Sequence, residues 1–386
     1  MKILFIVQNS IDHGTYFRAH ALAKALTCLG HEMTILASSR DLGKKPTKTR
    51  KEGITILTVS NFLPGQFRAG WDIYNLVQRN NIIQSLDLDI VHGFETRPTV
   101  IYPALVKQKQ GIPLFLDWAD WFGKGGSVEE RSNPILRTIL RPIETYYENQ
   151  YRLSPQGTTV ICQTLMDRAL RMGVNEGSLL TLPNGLDTPD WSPPSVNQAK
   201  NIIGFEPNLN LIGYLGALFP KDAIFMAEAF TKLRMEKENV KLVHIGNSNN
   251  RISNLTTPQQ GLIETGPLSQ KKVQGFLAAC DLFWLPLRNT PANHGRFPLK
   301  FTDYLSCGRP VVATNVGDIP FYIQKYQTGF ITEDRPDDFA KATITLLNNP
   351  KLMANMGQNA FALSRNPKES WLSRAKQLIS FYERRI

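Results

Sequence analysis

The chain has 386 residues, 42% of them hydrophobic and 10% aromatic, which is an ordinary globular composition with room for two cores. No run approaches the ~20 apolar residues of a membrane span, and the apolar start (residues 1–7) is too short for a secretory signal. The four cysteines lie far apart and form no Cys-x-x-Cys pair, so the sequence indicates neither a zinc knuckle nor a disulfide framework and favours a reducing cytoplasm. The net charge of +11 favours an anionic partner, although no nucleic-acid recognition motif accompanies it and no nucleic acid is expected.

Residues 1–190 alternate short apolar runs with helical patterns, which is typical of repeated β-α units around a parallel sheet. The predicted strands are residues 3–7, 33–37, 54–59, 90–92, 113–117, 159–162 and 179–182. Between the first two strands, apolar residues from Ala19 to Leu29 recur at helical spacing, and Gly30 ends that helix. The pattern predicts a Rossmann-like first domain.

The first predicted strand leads into a loop that contains Gly14. Ligands of open α/β sheets bind at the carboxyl ends of the strands, so this loop is a candidate wall of a site. It lacks the Gly-x-Gly-x-x-Gly pattern, which argues against a nicotinamide or flavin enzyme of the usual kind. A plain turn is the alternative interpretation of Gly14.

A basic run lies between the second and third predicted strands. Its members are Arg40, Lys44, Lys45, Lys48, Arg50 and Lys51. A solvated loop is the usual meaning of such a run, and contact with anionic lipid head groups, together with the aromatic stretch 62–71, is the alternative.

Residues 116–126 interleave Asp117 and Asp120 with Trp118 and Trp121 ahead of a glycine-rich loop. Tryptophan faces stack on sugar rings, and carboxylates bind sugar hydroxyls or accept a proton. Both aspartates are therefore candidates for the acceptor side of a site. The alternative interpretation of this segment is a capped turn whose tryptophans belong to the core.

The string Pro-Asn-Gly-Leu-Asp at 183–187 and the prolines after Trp191 predict a turn followed by a stiff connector. We therefore expect a first domain at 1–190, a second at 191–366 and a terminal helix at 367–386. That last helix carries an apolar stripe from Trp371 to Tyr382.

The second half restarts the alternation of strands and helices. Gly216 ends one predicted strand and Lys221 lies at the start of the following helix, while Gly246 and Gly266 end two further strands. His244, at a strand end, reads as structural, and no spacing of histidine, cysteine or acidic residues indicates a metal site.

Residues 297–318 predict a turn, a short helix and a short strand. Pro298 suits the first helical turn and Gly308 its C-terminal stop. Lys300 and Asp303 lie three residues apart and share one helix face, near an N-terminus that favours an anion. A cation for phosphate and a carboxylate for sugar hydroxyls would thus lie side by side.

This segment resembles the donor-binding segment of GT-B glycosyltransferases of the retaining family-4 type (glycosyl transferases group 1), in which a Pro-Leu-Lys turn precedes a helix with an acidic residue and then Gly and Pro-Val-Val. The Pro-Asn-Gly junction and the Gly216 to Lys221 turn stand in the order typical of that family. The resemblance implies an α/β GT-B fold, two Rossmann-like domains facing across a cleft, with a C-terminal helix crossing back to the first.

The resemblance also implies transfer of a hexose-type sugar from a nucleoside diphosphate sugar to a hydroxyl. The acceptor would be a glycan, a lipid-linked saccharide or a small molecule, as in polysaccharide biosynthesis, with retained configuration and neither a cofactor nor a metal ion. Peripheral contact with an anionic membrane surface at the cytoplasmic side is a further expectation. A same-fold epimerase or phosphorylase, and a degenerate protein that only binds nucleotide sugar, stay open as alternatives.

Roles for individual residues follow from the same resemblance. The donor-binding candidates are Gly14, Gly216, Lys221, Gly246, Gly266, Pro298, Lys300 and Asp303, with the lysines on the diphosphate and Asp303 on the ribose. The catalytic candidates are Asp117, Asp120, Lys300 and Arg296. Gly295 and Ala217 stand where the family has an acid and an arginine, and Arg296 or Arg288 are the residues expected to compensate.

Overall fold

The computed structural model describes residues 1–62, 70–131, 133–153, 155–187, 191–246, 252–254 and 261–386. Most of the predicted aromatic stretch, residues 63–69, lies outside the described residues, as do residues 188–190 of the predicted connector. The chain divides into two compact units. Unit 1 comprises Met1–Gly185, Gly295–Phe297 and Trp371–Ile386, and unit 2 comprises Leu186–His294 and Pro298–Ser370.

Unit 1 is built on an eight-stranded sheet. Its strands are β1 (Lys2–Ser10), β2 (Glu32–Leu42), β3 (Thr47–Lys51), β4 (Ile54–Asn61), β5 (Ile90–Phe94), β6 (Leu114–Trp118), β7 (Gly157–Val160) and β8 (Leu179–Thr181). They lie in the order β3-β4-β2-β1-β5-β6-β7-β8, and neighbours run parallel except for β3 with β4. The middle of β1 is buried on both faces, which is why its sequence is a continuous apolar run.

In the described part of this unit, the α-helices that join these strands are α1 (Thr15–Cys28), α2 (Ile73–Gln84), α3 (Pro98–Lys109), α4 (Pro134–Tyr151) and α5 (Gln163–Arg171). The seven strands predicted for this half are all present, with shifts of a few residues at their ends. The loop interpretation of the basic run was wrong for residues 47–51, which form β3, and for Arg40, which lies in β2, whereas Lys44 and Lys45 lie in the loop between these strands. All five residues of β3 are exposed, as suits an edge strand whose charges hinder further strand pairing.

Unit 2 is built on a six-stranded, all-parallel sheet. Its strands are β9 (Asn210–Leu215), β10 (Val240–Ile245), β11 (Leu262–Glu264), β12 (Leu282–Leu285), β13 (Val311–Thr314) and β14 (Gly329–Thr332). Their order, β11-β10-β9-β12-β13-β14, is the 3-2-1-4-5-6 order of the Rossmann fold. The order reverses between β9 and β12, and ligands of such sheets bind at that point.

The helices of unit 2 are α6 (Val196–Ile203), α7 (Pro220–Glu236), α8 (Gln270–Ala279), α9 (Pro291–His294), α10 (Lys300–Ser306), α11 (Ile319–Tyr326), α12 (Pro336–Leu347) and α13 (Pro350–Leu363). The core of this unit lies on one face of the sheet under α7 and α12, where Phe225, Trp284 and Phe339 meet edge to face.

The last helix, α14 (Trp371–Glu383), belongs to unit 1 and packs on α1. Its buried side chains Leu378, Phe381 and Tyr382 join the core that surrounds β1. The predicted return of the terminal helix to the first domain is thus confirmed. No helix among the described residues has the length and apolar character needed to cross a bilayer.

Candidate active site

The predicted Lys/Asp pair lies at the start of α10. This short helix begins at Lys300 and is followed by Gly308 in the left-handed conformation (φ +64°), as the sequence predicted. Tyr304 anchors α10, because its ring stacks on Phe283 at 4.2 Å and its hydroxyl accepts the Leu215 N–H at 2.9 Å. The helix is therefore fixed against the end of β9.

Lys300 extends over an aromatic ring of β9. Its Nζ lies 3.9 Å from the centroid of Tyr214, within the range of a cation–π interaction. The Tyr214 hydroxyl in turn donates to the carbonyl of Ala217 at 3.0 Å. The ammonium is thus held two residues before Gly216, at the carboxyl end of the strand.

Asp303 presents a half-buried carboxylate near Lys300. Within the described residues it has no hydrogen-bond or ion-pair partner. Burial raises the pKa of Asp303 to about 7, although the nearby charge of Lys300 opposes that shift. An unpartnered carboxylate of this kind is suited to receive hydroxyl groups of a ligand.

Three glycine turns converge at the same edge of the unit 2 sheet. Gly216, Gly246 and Gly266 all have positive φ, and Gly246 pairs with Gly266 in an isolated bridge. A Cβ on Gly246 would lie 3.6 Å from the backbone of Gly216, so the first two turns are in close contact. Among the described residues, a Cβ on Gly216 or Gly266 would have no neighbouring atom within 4 Å, so the glycine backbone of these two turns is open to close approach.

His244 supports this turn cluster. Its Nε2 donates to the carbonyl of Gly216 at 2.9 Å, and its Nδ1 lies 3.9 Å from Glu264. Burial lowers the pKa of His244. The histidine therefore fixes the Gly216 turn, in agreement with the structural role inferred from the sequence.

Two further predicted donor residues, Lys221 and Pro298, lie in the segments that follow Gly216 and precede Lys300. Lys221 is in the first turn of α7, exposed and without a partner among the described residues. Pro298 forms the turn before α10, where its carbonyl accepts the Phe301 N–H at 3.1 Å. Unit 2 thus gathers Gly216, Gly246, Gly266, Lys300 and Asp303 at one sheet edge, with Lys221 just beyond the Gly216 turn.

Gly14, the first predicted donor residue, lies in unit 1 at the start of α1. It is exposed and has φ +51°. A Cβ there would lie 2.7 Å from the side chain of Asn9, whose Oδ1 accepts the Thr15 N–H at 3.2 Å. The turn itself therefore requires glycine at this position.

Asp117, inside β6, is fully buried. Arg18 of α1 donates to both of its carboxylate oxygens at 3.0 and 2.8 Å, and Thr159 donates to one of them at 2.6 Å. Burial alone would raise the pKa of Asp117, but the Arg18 guanidinium holds it below the ordinary value. The carboxylate is thus saturated by partners of the protein interior.

Asp120 and Arg296, both predicted as catalytic, are brought together in unit 1. The Arg296 Nε lies 3.2 Å from Asp120, and its two terminal nitrogens pair with Glu130. The Asp120 side chain remains 38% exposed. Arg288, the other residue expected to compensate, pairs with Asp334 at 2.7 Å in unit 2.

Comparison with known proteins gives matches in both units. The model of the family described as "Glycosyltransferase Family 4" matches residues 14–189, and that described as "Glycosyl transferases group 1" matches residues 210–349. The chain belongs to the family-4-like glycosyltransferases of the GT-B fold.

Relatives of this glycosyltransferase are distant. An uncharacterized glycosyltransferase of Methanocaldococcus jannaschii is 24% identical, and the alignment covers 75% of this chain and 74% of that protein. The structure of a sucrose-phosphate synthase from Thermosynechococcus elongatus matches with a TM-score of 0.74 at 14% identity, over 100% and 99% of the two chains. Anabaena HepE in complex with UDP-glucose matches with a TM-score of 0.70 at 16% identity, over the whole of both chains.

The sequence did not single out two residues whose surroundings in the structure are unusual. Tyr214 was read only as part of a strand, because nothing local shows that Lys300, 86 positions later, lies over its ring. Glu95 follows β5 with φ +76°, which is rare for a residue with a side chain. Burial raises the pKa of Glu95 to about 8 although Arg152 donates to it at 3.1 Å.

Proposed function

We propose that this glycosyltransferase binds a nucleoside diphosphate sugar at the turn cluster of unit 2 and transfers the sugar to a hydroxyl acceptor, with retention and without a metal ion. The observation that carries the proposal is the side-by-side placement of Lys300 and Asp303 beside three glycine turns at the carboxyl edge of a Rossmann-ordered sheet. That edge is where the fold binds nucleotides.

Two lysines would bind the diphosphate. Lys300 is held by the Tyr214 ring, and Lys221 stands in the first turn of α7, a helix whose N-terminus has no side-chain cap. Cations and backbone N–H groups placed where charge develops lower the barrier to departure of an anion. They would supply the positive charge that a metal ion gives in other nucleotide sites.

Asp303 would bind the ribose of the donor. Its carboxylate can accept hydrogen bonds from two adjacent hydroxyls. The side chain is only partly buried, and with a pKa of about 7 it is ionised above neutral pH. The structure of Anabaena HepE with UDP-glucose supports a UDP-sugar as the first donor to test.

The reaction breaks the bond between the anomeric carbon and the diphosphate oxygen, whose electron pair leaves with the nucleotide. The acceptor oxygen forms a new bond to the same carbon on the same face, and the acceptor proton passes to the departing diphosphate. Lys300 and Lys221 would stabilise the charge on that leaving group throughout.

On the acceptor side we favour Asp120 over Asp117. Asp120 is partly exposed, whereas every oxygen of the Asp117 carboxylate is engaged by buried partners. Arg296 would then orient Asp120 rather than contact the diphosphate, because the pairing with Asp120 and Glu130 occupies its guanidinium.

The test is a thermal-shift and calorimetric panel of nucleoside diphosphate sugars on the wild type, Lys300→Ala and Asp303→Ala. We expect at least one donor to stabilise the wild type, and each variant to lose about tenfold or more in affinity for it. Lys351→Ala, an exposed lysine of α13, is the matched control and should bind as the wild type does. A wild type that responds to no donor, or two site variants that respond like the control, would contradict the proposal.

A further inference from the structure

The segment that carries Asp120 lies directly after β6 and forms neither a strand nor a helix. We name residues 119–123 the Asp120 loop; it follows Trp118, the last residue of β6, and precedes a 3₁₀ turn at Ser127–Glu130. A functional side chain on irregular backbone is placed precisely only where neighbouring groups fix that backbone. The contacts of this loop therefore bear on whether Asp120 can act.

Glu95, which follows β5, holds the first residue of the Asp120 loop. One of its carboxylate oxygens accepts the Ala119 N–H at 2.9 Å, and the other accepts from Arg152 at 3.1 Å. Arg152 also donates to the carbonyl of Asp117 at 2.9 Å and lies 4.6 Å over the Trp118 ring. These two buried side chains thus fix the backbone on both sides of Trp118.

The backbone of Glu95 is in a conformation that side chains oppose. Its φ of +76° lies in the left-handed region, while its N–H donates to the carbonyl of Asp117 at 3.1 Å. Backbone strain of this kind persists where the surrounding structure imposes it, and it clusters at functional sites. Glycine would adopt the conformation more easily, so a glutamate here indicates that the carboxylate is needed.

Glu148 of α4 holds the other end of the loop. Its Oε1 accepts from the Phe122 N–H at 2.9 Å and from Trp118 Nε1 at 3.1 Å, and its Oε2 accepts the Gly123 N–H at 3.2 Å. A Cβ on Gly123 would lie 2.8 Å from that Oε2, so a larger residue would displace the loop from the carboxylate. Arg168 pairs with Glu148 at 3.1 Å and balances its charge.

We propose that Glu95 and Glu148 are positioning residues for Asp120. They accept N–H groups one residue before it and two and three residues after it, and charge-assisted hydrogen bonds of this kind are strong. Both glutamates are only 1% exposed, so they act through the loop and not on the acceptor, whereas the Asp120 side chain is 38% exposed. Arg296 fixes the Asp120 carboxylate itself at 3.2 Å. This inference rests on the proposed role of Asp120 on the acceptor side.

The test compares Glu95→Gln and Glu148→Gln with the wild type in the release of UDP from UDP-glucose. Methyl α-glucoside is the acceptor probe, with water as the acceptor if that sugar is not used. A glutamine amide has one acceptor oxygen and one NH₂, so in either orientation it opposes a donor that the carboxylate accepted. We expect kcat to fall about tenfold or more in each variant, because small misplacements of a reacting group are costly. KM for UDP-glucose should be unchanged, since the proposed donor residues lie in unit 2.

The matched control is Asp281→Asn in unit 2. Asp281 is likewise a buried carboxylate that accepts one backbone N–H, from Leu211 at 2.7 Å, and pairs with one cation, Lys200, at 2.8 Å. It lies at the amino ends of β9 and β12, the edge opposite to the glycine turns. The melting temperature should fall in the control as in the glutamate variants, because each change leaves a buried cation without its charged partner. The kcat of the control should remain that of the wild type.

Two further variants separate positioning from a general loss of stability. Glu95→Met/Arg152→Met removes both charges together and leaves none unpaired, so it gives the same readout if Glu95→Gln does not fold. In an Asp120→Asn background, Glu95→Gln should change kcat by less than about twofold, because residues that act through one another are not additive.

The positioning role is overturned if the glutamate variants keep the kcat of the control, or if Glu95→Gln lowers kcat as much in the Asp120→Asn background as in the wild type. A loss of kcat in Asp120→Asn but in neither glutamate variant would overturn it and leave the proposed function standing. Full turnover in Asp120→Asn would instead contradict the proposed acceptor site, and this inference with it.

Discussion

Asp303 is the ionisable residue whose titration tests the proposed donor site most directly. Its pKa is raised to about 7, so the carboxylate form prevails above pH 7 and the neutral form below it. If the carboxylate binds the ribose, affinity for UDP-glucose rises with pH, and we expect it to be about tenfold weaker at pH 6 than at pH 8. UDP-glucose suits the calorimetric titration because its diphosphate diester has no group that titrates in this range.

The matched variant Asp303→Asn keeps the shape of the side chain and removes its titration. Its affinity should be low and independent of pH between 6 and 8. A wild-type affinity that is equally flat over this interval would rule out the assigned contact.

Substitution of the two candidate aspartates of unit 1 should have different effects, one on stability and the other on turnover. Asp117→Asn leaves the buried Arg18 without its charged partner, and we expect the free energy of unfolding to fall by about 3–5 kcal/mol. Asp120→Asn, at a partly exposed site, should change stability by less than about 1 kcal/mol yet reduce turnover. Urea denaturation and the rate of UDP release with an acceptor present measure the two effects. Full turnover in Asp120→Asn would remove this residue from the acceptor site.

At the level of elements, α14 completes the core of unit 1, and this can be tested with one pair of substitutions. Leu378 is fully buried between α14 and the sheet, so Leu378→Ala should lower the free energy of unfolding by about 2–5 kcal/mol. Leu372→Ala, on the same helix but 41% exposed, should have a much smaller effect in the same urea titration. If Leu378→Ala lowers the free energy of unfolding as little as Leu372→Ala does, α14 contributes little to the core.

The elements that the sequence predicted well are those whose apolar pattern is decided locally. β1 is a continuous buried run, and the stripe of α14 is indeed its inward face. β3 escaped prediction because it has no apolar residue and exists through backbone pairing with β4. In α4 the buried Glu144 pairs with Arg97 and Arg131, which lie outside the helix, so no periodicity within the helix could show that its acidic side faces inward.

In the candidate site too, features set by the local sequence were predicted and features set by distant contacts were not. The shared face of Lys300 and Asp303 follows from a spacing of three residues and was predicted. The Tyr214 ring under Lys300 and the pairing of Asp120 with Arg296 join residues 86 and 176 positions apart. Such contacts are set by the topology of the sheets, which a single sequence does not spell out.

For the molecule as a whole, the decisive question is whether lysines alone neutralise the donor diphosphate. In the proposed function Lys221 and Lys300 do so, within a chain that carries a net charge of +11. We therefore expect sugar transfer and UDP-glucose affinity to be unchanged by an excess of EDTA, and added Mg²⁺ or Mn²⁺ to change the rate less than about twofold. Lys300→Ala should lower the rate by about 100-fold, because one preorganised group on the leaving charge is lost. If instead EDTA abolishes transfer and a divalent cation restores it, the positive charge comes from a metal ion and the role assigned to the lysines is wrong.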